Sequence, residues 1–277
     1  MAENLAFALF SFDRPTYLQK VLESIYQNKA TFNYPWFFFQ DGNISPAIEA
    51  EYGSKEGTYE SLRLIHTYSS LFCKKGNKKT AINIYSSPVN QGIAKMKYRA
   101  HFLYDVFDKV MFFEDDMVIS PYYIGLLIRM SRQFPDCIVQ ANDRTGQIPK
   151  DDFKSHLNEV IYTGTHWWGY LMPKSAYYPI HNTLSEYVQM IGDDYRRRPH
   201  DKIKEVYGVN ATSHDAVMDT ARKKHNVNKI TTFVPRAKYI GEQGMHATPQ
   251  WYEKNGFNKE KPYIFPEDST MSEFILK

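Results

Sequence analysis

The chain has 277 residues, of which 43% are hydrophobic and 16% aromatic, and a formal charge of +3 at neutral pH. That apolar content supplies a sizeable core and excludes wholesale disorder, and so small an excess of positive charge does not by itself argue for nucleic acid. Cys73 and Cys137 stand far apart with no CxxC pattern, which argues against a disulfide scaffold and against a structural zinc site. No stretch is apolar for long enough to cross a bilayer, and the first residues lack a basic region followed by a long apolar run, so a soluble, cytoplasmic protein is expected.

Taken in order, residues 5–12 read as a buried strand running into Asp13-Arg14-Pro15. Residues 17–27 follow as a helix, with Leu18, Val21, Leu22 and Ile25 at helical spacing. Residues 36–40 form a second strand ending at Asp41-Gly42-Asn43, a turn signal. A helix is expected over 59–72 and a short strand over 82–85. After Asn90-Gln91-Gly92 comes a helix carrying Met96, Ala100, Leu103 and Phe107 on one face. That helix feeds Val110-Met111-Phe112-Phe113, four apolar residues suited to a buried parallel strand, followed at once by Glu114-Asp115-Asp116.

The order β-α-β-α-β-α-β predicts an α/β fold: a Rossmann-like, mostly parallel central sheet with helices on both faces. Three adjacent carboxylates cannot lie inside such a strand, so they emerge at its C-terminal edge, where open α/β sheets place ligand crevices. Right-handed crossovers bring Asp13, Arg14, Asp41, Asn90 and the acidic triplet to one edge. The carboxylates repel one another unless a divalent cation or a set of donors offsets their charge. Asp is a hard oxygen ligand suited to Mg2+ or Mn2+, ions that commonly bridge to phosphate. A solvated acidic turn is the competing reading.

Beyond Asp143 the pattern changes. Residues 160–162 read as a strand, and Trp167-Trp168-Gly169-Tyr170 reads either as an aromatic platform or as core filler behind a turn. Ser213 is a candidate N-cap with Asp215 in the first turn behind it. His246 follows Gly244 after a strand-like piece. No linker, repeat or low-complexity tract divides the chain, so residues 1–277 are expected to form one domain with two functional halves.

These motifs together resemble the GT-A-fold, nucleotide-sugar-dependent glycosyltransferases, over roughly residues 5–250. The resemblance rests on Asp13-Arg14-Pro15 after the first strand, Asp41-Gly42 after the second, and Asn90-Gln91-Gly92 with Lys95, Lys97 and Arg99. Glu114-Asp115-Asp116 corresponds to the DxD-type motif, in the EDD form of N-acetylglucosaminyltransferase I-like enzymes. It implies a donor half over 1–120 and an acceptor half over 121–277, with a nucleotide-sugar donor and Mn2+ or Mg2+. Asp116 and His246 would hold the metal; Glu114 and Asp115 would contact ribose or metal-bound water. Arg14, Asp41, Asn90, Gly92 and Lys95 fall at donor-side positions. Asp215 matches the carboxylate base of inverting members, with His214 as competitor and Asp219 as a weaker candidate. Trp167, Trp168 and Tyr170 correspond to the acceptor-side segment, and the acceptor expected is a glycan.

Other readings remain beside it. A nucleotidyltransferase is expected to carry a Gly-rich basic loop after its first strand, which Phe10-Ser11-Phe12-Asp13-Arg14 lacks, and no GxxxxGK[ST] indicates a P-loop NTPase. A non-catalytic nucleotide-sugar-binding module would keep the fold without turnover. Basic clusters at 74–79, 196–198 and 222–224 would suit an acceptor such as DNA bearing hydroxylated bases, or an anionic membrane, if they shared a face.

Overall fold

Side chains alternate faces along a strand, and in β1 (Leu5–Ser11) both sets are buried. Leu5, Phe7 and Leu9 join one hydrophobic cluster; Ala6, Ala8 and Phe10 join another. In β2 (Trp36–Gln40), Trp36 and Phe38 face the first cluster and Phe37 and Phe39 the second. Burial on both faces explains the unbroken apolar runs, and it requires helices above and below the sheet. In the computed structural model, residues 3–45, 51–76, 80–141, 150–163, 166–244, 247–259 and 264–277 are described.

Between these strands runs α1 (Pro15–Gln27), which buries Leu18, Val21, Leu22 and Ile25 against the first cluster. Pro15 at its start has φ preset for a helix. Next come α2 (Lys55–Lys75), capped by the Ser54 hydroxyl accepting from the Gly57 N–H, and β3 (Ile82–Ser86). The helix expected through Phe107 is shorter: α3 spans Gly92–Arg99, and a 3-10 segment (Ala100–Asp105) then turns Leu103 and Tyr104 into the second cluster. β4 (Lys109–Glu114) follows, and β1 pairs in parallel with both β2 and β4, as does β2 with β3.

The second half adds β5 (Met117–Ile119), α4 (Tyr123–Gln133), β6 (Ile138–Gln140), β7 (Glu159–Tyr162) and β8 (Tyr170–Pro173). Then come α5 (Lys174–Ile191), α6 (His200–Tyr207), α7 (His214–Lys224), β9 (Lys229–Thr232), β10 (Ala237–Tyr239), α8 (Pro249–Lys254) and β11 (Ile275–Leu276). The result is an α/β fold with a mixed, mostly parallel nine-stranded sheet, ordered β11-β7-β9-β6-β8-β4-β1-β2-β3. α1, α2 and α4 cover one face; α3, α5 and α7 cover the other. β8 lies antiparallel between β4 and β6. β5 leaves the sheet and pairs antiparallel with β10, Met117 opposite Tyr239. Among the described residues, no helix is long and apolar enough to cross a membrane.

The C-terminal segment is tied to the sheet by a buried ion pair. Arg236 and Asp268 are both 0% exposed, and two guanidinium nitrogens donate to the Asp268 carboxylate at 3.0 Å each. Arg236 also donates to the Leu157 carbonyl at 2.8 Å. Removing one partner strands the other charge in a dry interior. Arg236→Met is therefore expected to cost about 3–5 kcal/mol, read as a lowered urea midpoint; an unchanged midpoint contradicts this role.

Candidate active site

Glu114 ends β4, and Asp115 and Asp116 form the turn between β4 and β5, at the C-terminal end of the parallel strands. Asp115 and Asp116 are only 3% and 6% exposed. Arg14, at the start of α1, supplies their counterion: its Nη2 contacts Asp115 Oδ1 and lies 3.0 Å from Asp116 Oδ2. The Phe12 N–H donates to Asp115 Oδ2 at 3.3 Å. Burial pushes the Asp116 carboxyl up from its ordinary range; Arg14 opposes the shift, and Asp115 and Glu114 reinforce it. Arg14 itself is raised: burial works against its charge, and the two aspartates outweigh that.

Asp116 Oδ1 is buried and has no hydrogen-bond partner among the described residues. An orphaned anionic oxygen beside a second hard carboxylate fits a divalent cation. Among the described residues no group of three or more His, Cys, Asp or Glu side chains could hold a metal. One or two carboxylates, completed by phosphate oxygens and water, is the usual protein share for Mg2+. His246, the other expected ligand, lies outside the described residues. The chain leading toward it crosses this site: the Ile240 N–H donates to the Asp116 carbonyl at 2.8 Å, and Arg14 Nη1 donates to the Gln243 carbonyl at 3.4 Å.

A second cation stands on the other side of the triplet. Lys97, on α3, is 1% exposed, and its Nζ lies 2.7 Å from Glu114 Oε1 and 4.0 Å from Asp215 Oδ1. Its Nζ also sits 5.6 Å from the Tyr170 ring centroid. Burial opposes its charge, but Glu114, Tyr170 and Asp215 outweigh the penalty and raise its pKa. Asp215 lies in the first turn of α7, which Ser213 caps by accepting from the Ala216 N–H. The Asp215 side chain is 40% exposed and opens on a cleft of about 280 Å3, whose walls include His166, Trp167, Asn210, Asp219 and Thr220.

His214, the competing base, points the other way. It is 2% exposed, and neither ring nitrogen has a hydrogen-bond partner among the described residues. Burial and the Lys97 charge hold it neutral, its pKa well below 6.5. A ring so enclosed does not line the cleft.

The loop after β2 is held by its own carboxylate. Asp41 is 3% exposed; Oδ1 accepts from the N–H groups of Gly42 (3.0 Å) and Gln91 (2.7 Å), and Oδ2 from Gly92 (2.9 Å). Burial raises its pKa to about 6, against those three donors. The Asp41 carboxylate thus forms a latch joining the end of β2 to the start of α3. Asn90 continues it by donating to the Gly42 carbonyl at 2.9 Å. Gly92 has φ +72, and a Cβ there would meet Tyr195 Cβ at 2.7 Å, so only glycine fits. Lys95 reaches away, to the exposed Asp193 at 3.1 Å.

Of the two readings of residues 167–170, aromatic platform or core filler, the burial of Trp167 and Tyr170 fits the second. Tyr170 opens β8, a central strand, and its buried ring stacks on Phe112 at 5.0 Å. Trp167 is 1% exposed with Lys229 Nζ 4.2 Å from its ring. Trp168 is nearly parallel to both His166 and Tyr239, each with its centroid at 4.3 Å. Two rings that close cannot share one face of an indole, so both faces are covered. None of the three offers an open ring face to a sugar.

Several side chains of the basic clusters are engaged within the chain. Arg198 is 6% exposed and donates to the carbonyls of Thr212 and Tyr195. Arg222 and Lys223 both pair with Asp219, at 2.7 and 2.6 Å. Residues 77–79 lie outside the described residues. Lys97 and Tyr239 are the neighbours of the triplet that sequence reasoning did not single out. Lys97 was visible only as one of several basic residues on a helix, and Tyr239 carried no distinguishing signal.

No protein-family model matches the sequence, and no curated protein matches it. Among solved structures the chain is similar to TarS of S. aureus. Against TarS 1-349 in complex with UDP-GlcNAc, identity is 11% over 95% of this chain and 63% of that one, with a TM-score of 0.49. Against the same fragment with UDP, identity is 10% over 84% and 59%, with a TM-score of 0.49. This chain therefore spans less than two thirds of those TarS chains.

The buried His214 has a consequence for acid stability. In the unfolded chain its ring takes a proton as pH falls through 6.5; in the native protein it does not until the pH is well below that. Its contribution is thus fully present above pH 6.5 and is lost as the medium becomes acidic. His214→Asn is expected to lose less of its urea midpoint than the parent between about pH 7.5 and pH 5. Equal slopes would show that His214 is not held neutral.

Proposed function

We propose that this chain is a GT-A-fold glycosyltransferase that moves a sugar from a nucleotide-diphosphate donor to an acceptor hydroxyl with inversion. The observation that carries the reading is the buried Asp115–Asp116 pair at the sheet edge, with an unpartnered Asp116 oxygen and Arg14 bridging both side chains. Buried negative charge of this kind is costly unless a ligand completes it, and a cation bearing a diphosphate does so. The β3-β2-β1-β4 parallel order, followed by a reversed β8, supports reading this edge as the ligand crevice. Residues 1–120 supply the donor half and residues 121–277 the acceptor half.

In this reading Asp116 and His246 would hold Mn2+ or Mg2+, and Asp115 would contact ribose or metal-bound water. The ion supplies Lewis-acid stabilisation of the departing nucleotide diphosphate. Arg14 steadies the two aspartates and lies within reach of donor phosphate. The latch of Asp41, Asn90 and Gly92 shapes the wall on which the nucleotide rests. Asp215 faces the cleft, accepts the proton of the acceptor hydroxyl and so strengthens it as a nucleophile toward the anomeric carbon. Attack from the face opposite the leaving group inverts that carbon. The cleft has polar walls and the size of a small ligand, which favours a glycan acceptor over a duplex.

Two experiments test this. Nucleotide sugars screened by thermal shift with and without Mn2+ should include at least one that raises the melting temperature only when the ion is present. Asp116→Ala should abolish that metal-dependent shift together with transfer. Undiminished metal-stimulated turnover in Asp116→Ala would overturn the assignment. A nucleotide sugar bound and never cleaved or transferred would instead support a binding module.

A further inference from the structure

We infer that Lys97 is a positioning residue for the reaction: it fixes the carboxylate of Asp215 relative to the acidic end of β4. The inference rests on the proposed role of Asp215 as base. Lysine is among the residues least often buried, and one so enclosed needs partners. Lys97 is 1% exposed, and its ammonium is shared between Glu114 at 2.7 Å and Asp215 at 4.0 Å. These carboxylates come from separate parts of the chain, the end of β4 and the first turn of α7. Enclosure also keeps Lys97 from reaching a substrate itself, unlike Lys95, whose side chain is 19% exposed and pairs with a surface aspartate.

The groups around the ammonium leave it little choice of partner. The Tyr170 ring lies to one side at 5.6 Å, and His214, adjacent to Asp215 in sequence, is held neutral and offers no competing charge. Among the described residues Lys97 is the cation within ion-pair distance of Asp215. Its pull holds one oxygen of that carboxylate at the inner end of the cleft while the side chain stays 40% exposed to an incoming hydroxyl. An aspartate without this anchor would sample several rotamers, and a base displaced by about 1 Å can cost on the order of a hundredfold in rate. Lys97 thus sets the separation between the donor-binding carboxylates and the base, without touching either substrate.

The test is a double-mutant cycle on kcat at saturating donor and acceptor, with Lys97→Met, Asp215→Asn and the double variant. If Lys97 acts through Asp215, Lys97→Met alone lowers kcat on the order of a hundredfold, and in the Asp215→Asn background it adds little further loss. Losses that multiply would overturn the inference, because they would mean that Lys97 matters independently of the base. Thermal melts check that each variant is folded. Should Lys97→Met not fold, Lys97→Arg keeps the charge but moves it, and the same cycle with Asp215→Asn applies. A near-normal rate in Asp215→Asn alone is a different failure: it removes the base assignment, and the inference falls with it.

Discussion

Asp115 and Asp116 lie at the C-terminal end of β4 with almost no solvent around them, and the guanidinium of Arg14 is the charge they share. Two buried carboxylates side by side are tolerable only because compensating groups arrive from elsewhere in the chain. Arg14 comes from the turn after β1, and Lys97 from α3 takes Glu114 on the far side. The carbonyl of Asp116 is itself fixed by the Ile240 N–H just after β10. Each contact draws a different segment to the same edge. The positions of α1, α3 and the β5–β10 ribbon are therefore bound up with how this charge is enclosed.

The cations are not equivalent. Arg14 is planar, is partly open to solvent and engages two carboxylates at once, which suits a group that a phosphate can also approach. Lys97 is a point charge sealed beneath the site. The carboxylates of Glu114 and Asp215 raise its pKa against the penalty of burial, while burial first, and then the lysine charge, lower that of His214. A carboxylate that faces the cleft thus sits next to an ammonium held charged and a ring held neutral.

The first half of the fold was legible because its strands are buried on both faces and announce themselves as unbroken apolar runs, separated by helices of clear period. Trp36–Gln40 falls where the sequence places it, and Ser213 caps α7 as its spacing foretold. The second half resisted for an equally physical reason. β6, β8 and β9 are three or four residues long and include Gln140, Lys229, Thr231 and Thr232, all buried. So short a strand has no period to read, and its identity as a strand comes from neighbours distant in sequence. With β8 unread, nothing in the sequence decided between an aromatic platform and core filler for Trp167 and Tyr170. Asp41 illustrates the limit at a site: a turn signal was readable, but whether its carboxylate faces a ligand or the chain's own amides depends on where α3 begins.

The reversal of β8 matters beyond sheet statistics. A sheet whose strands all run one way can furnish its ligand-facing rim only with residues that come after each strand. Tyr170 pairs with Phe112, so the beginning of β8 lies at the rim where β4 finishes. The residues His166 to Gly169, upstream of a strand, are thereby delivered to the same rim as the acidic turn downstream of another. One inverted strand lets both directions of the polypeptide contribute to a single boundary, so that segments entering and leaving one continuous sheet meet at the same rim.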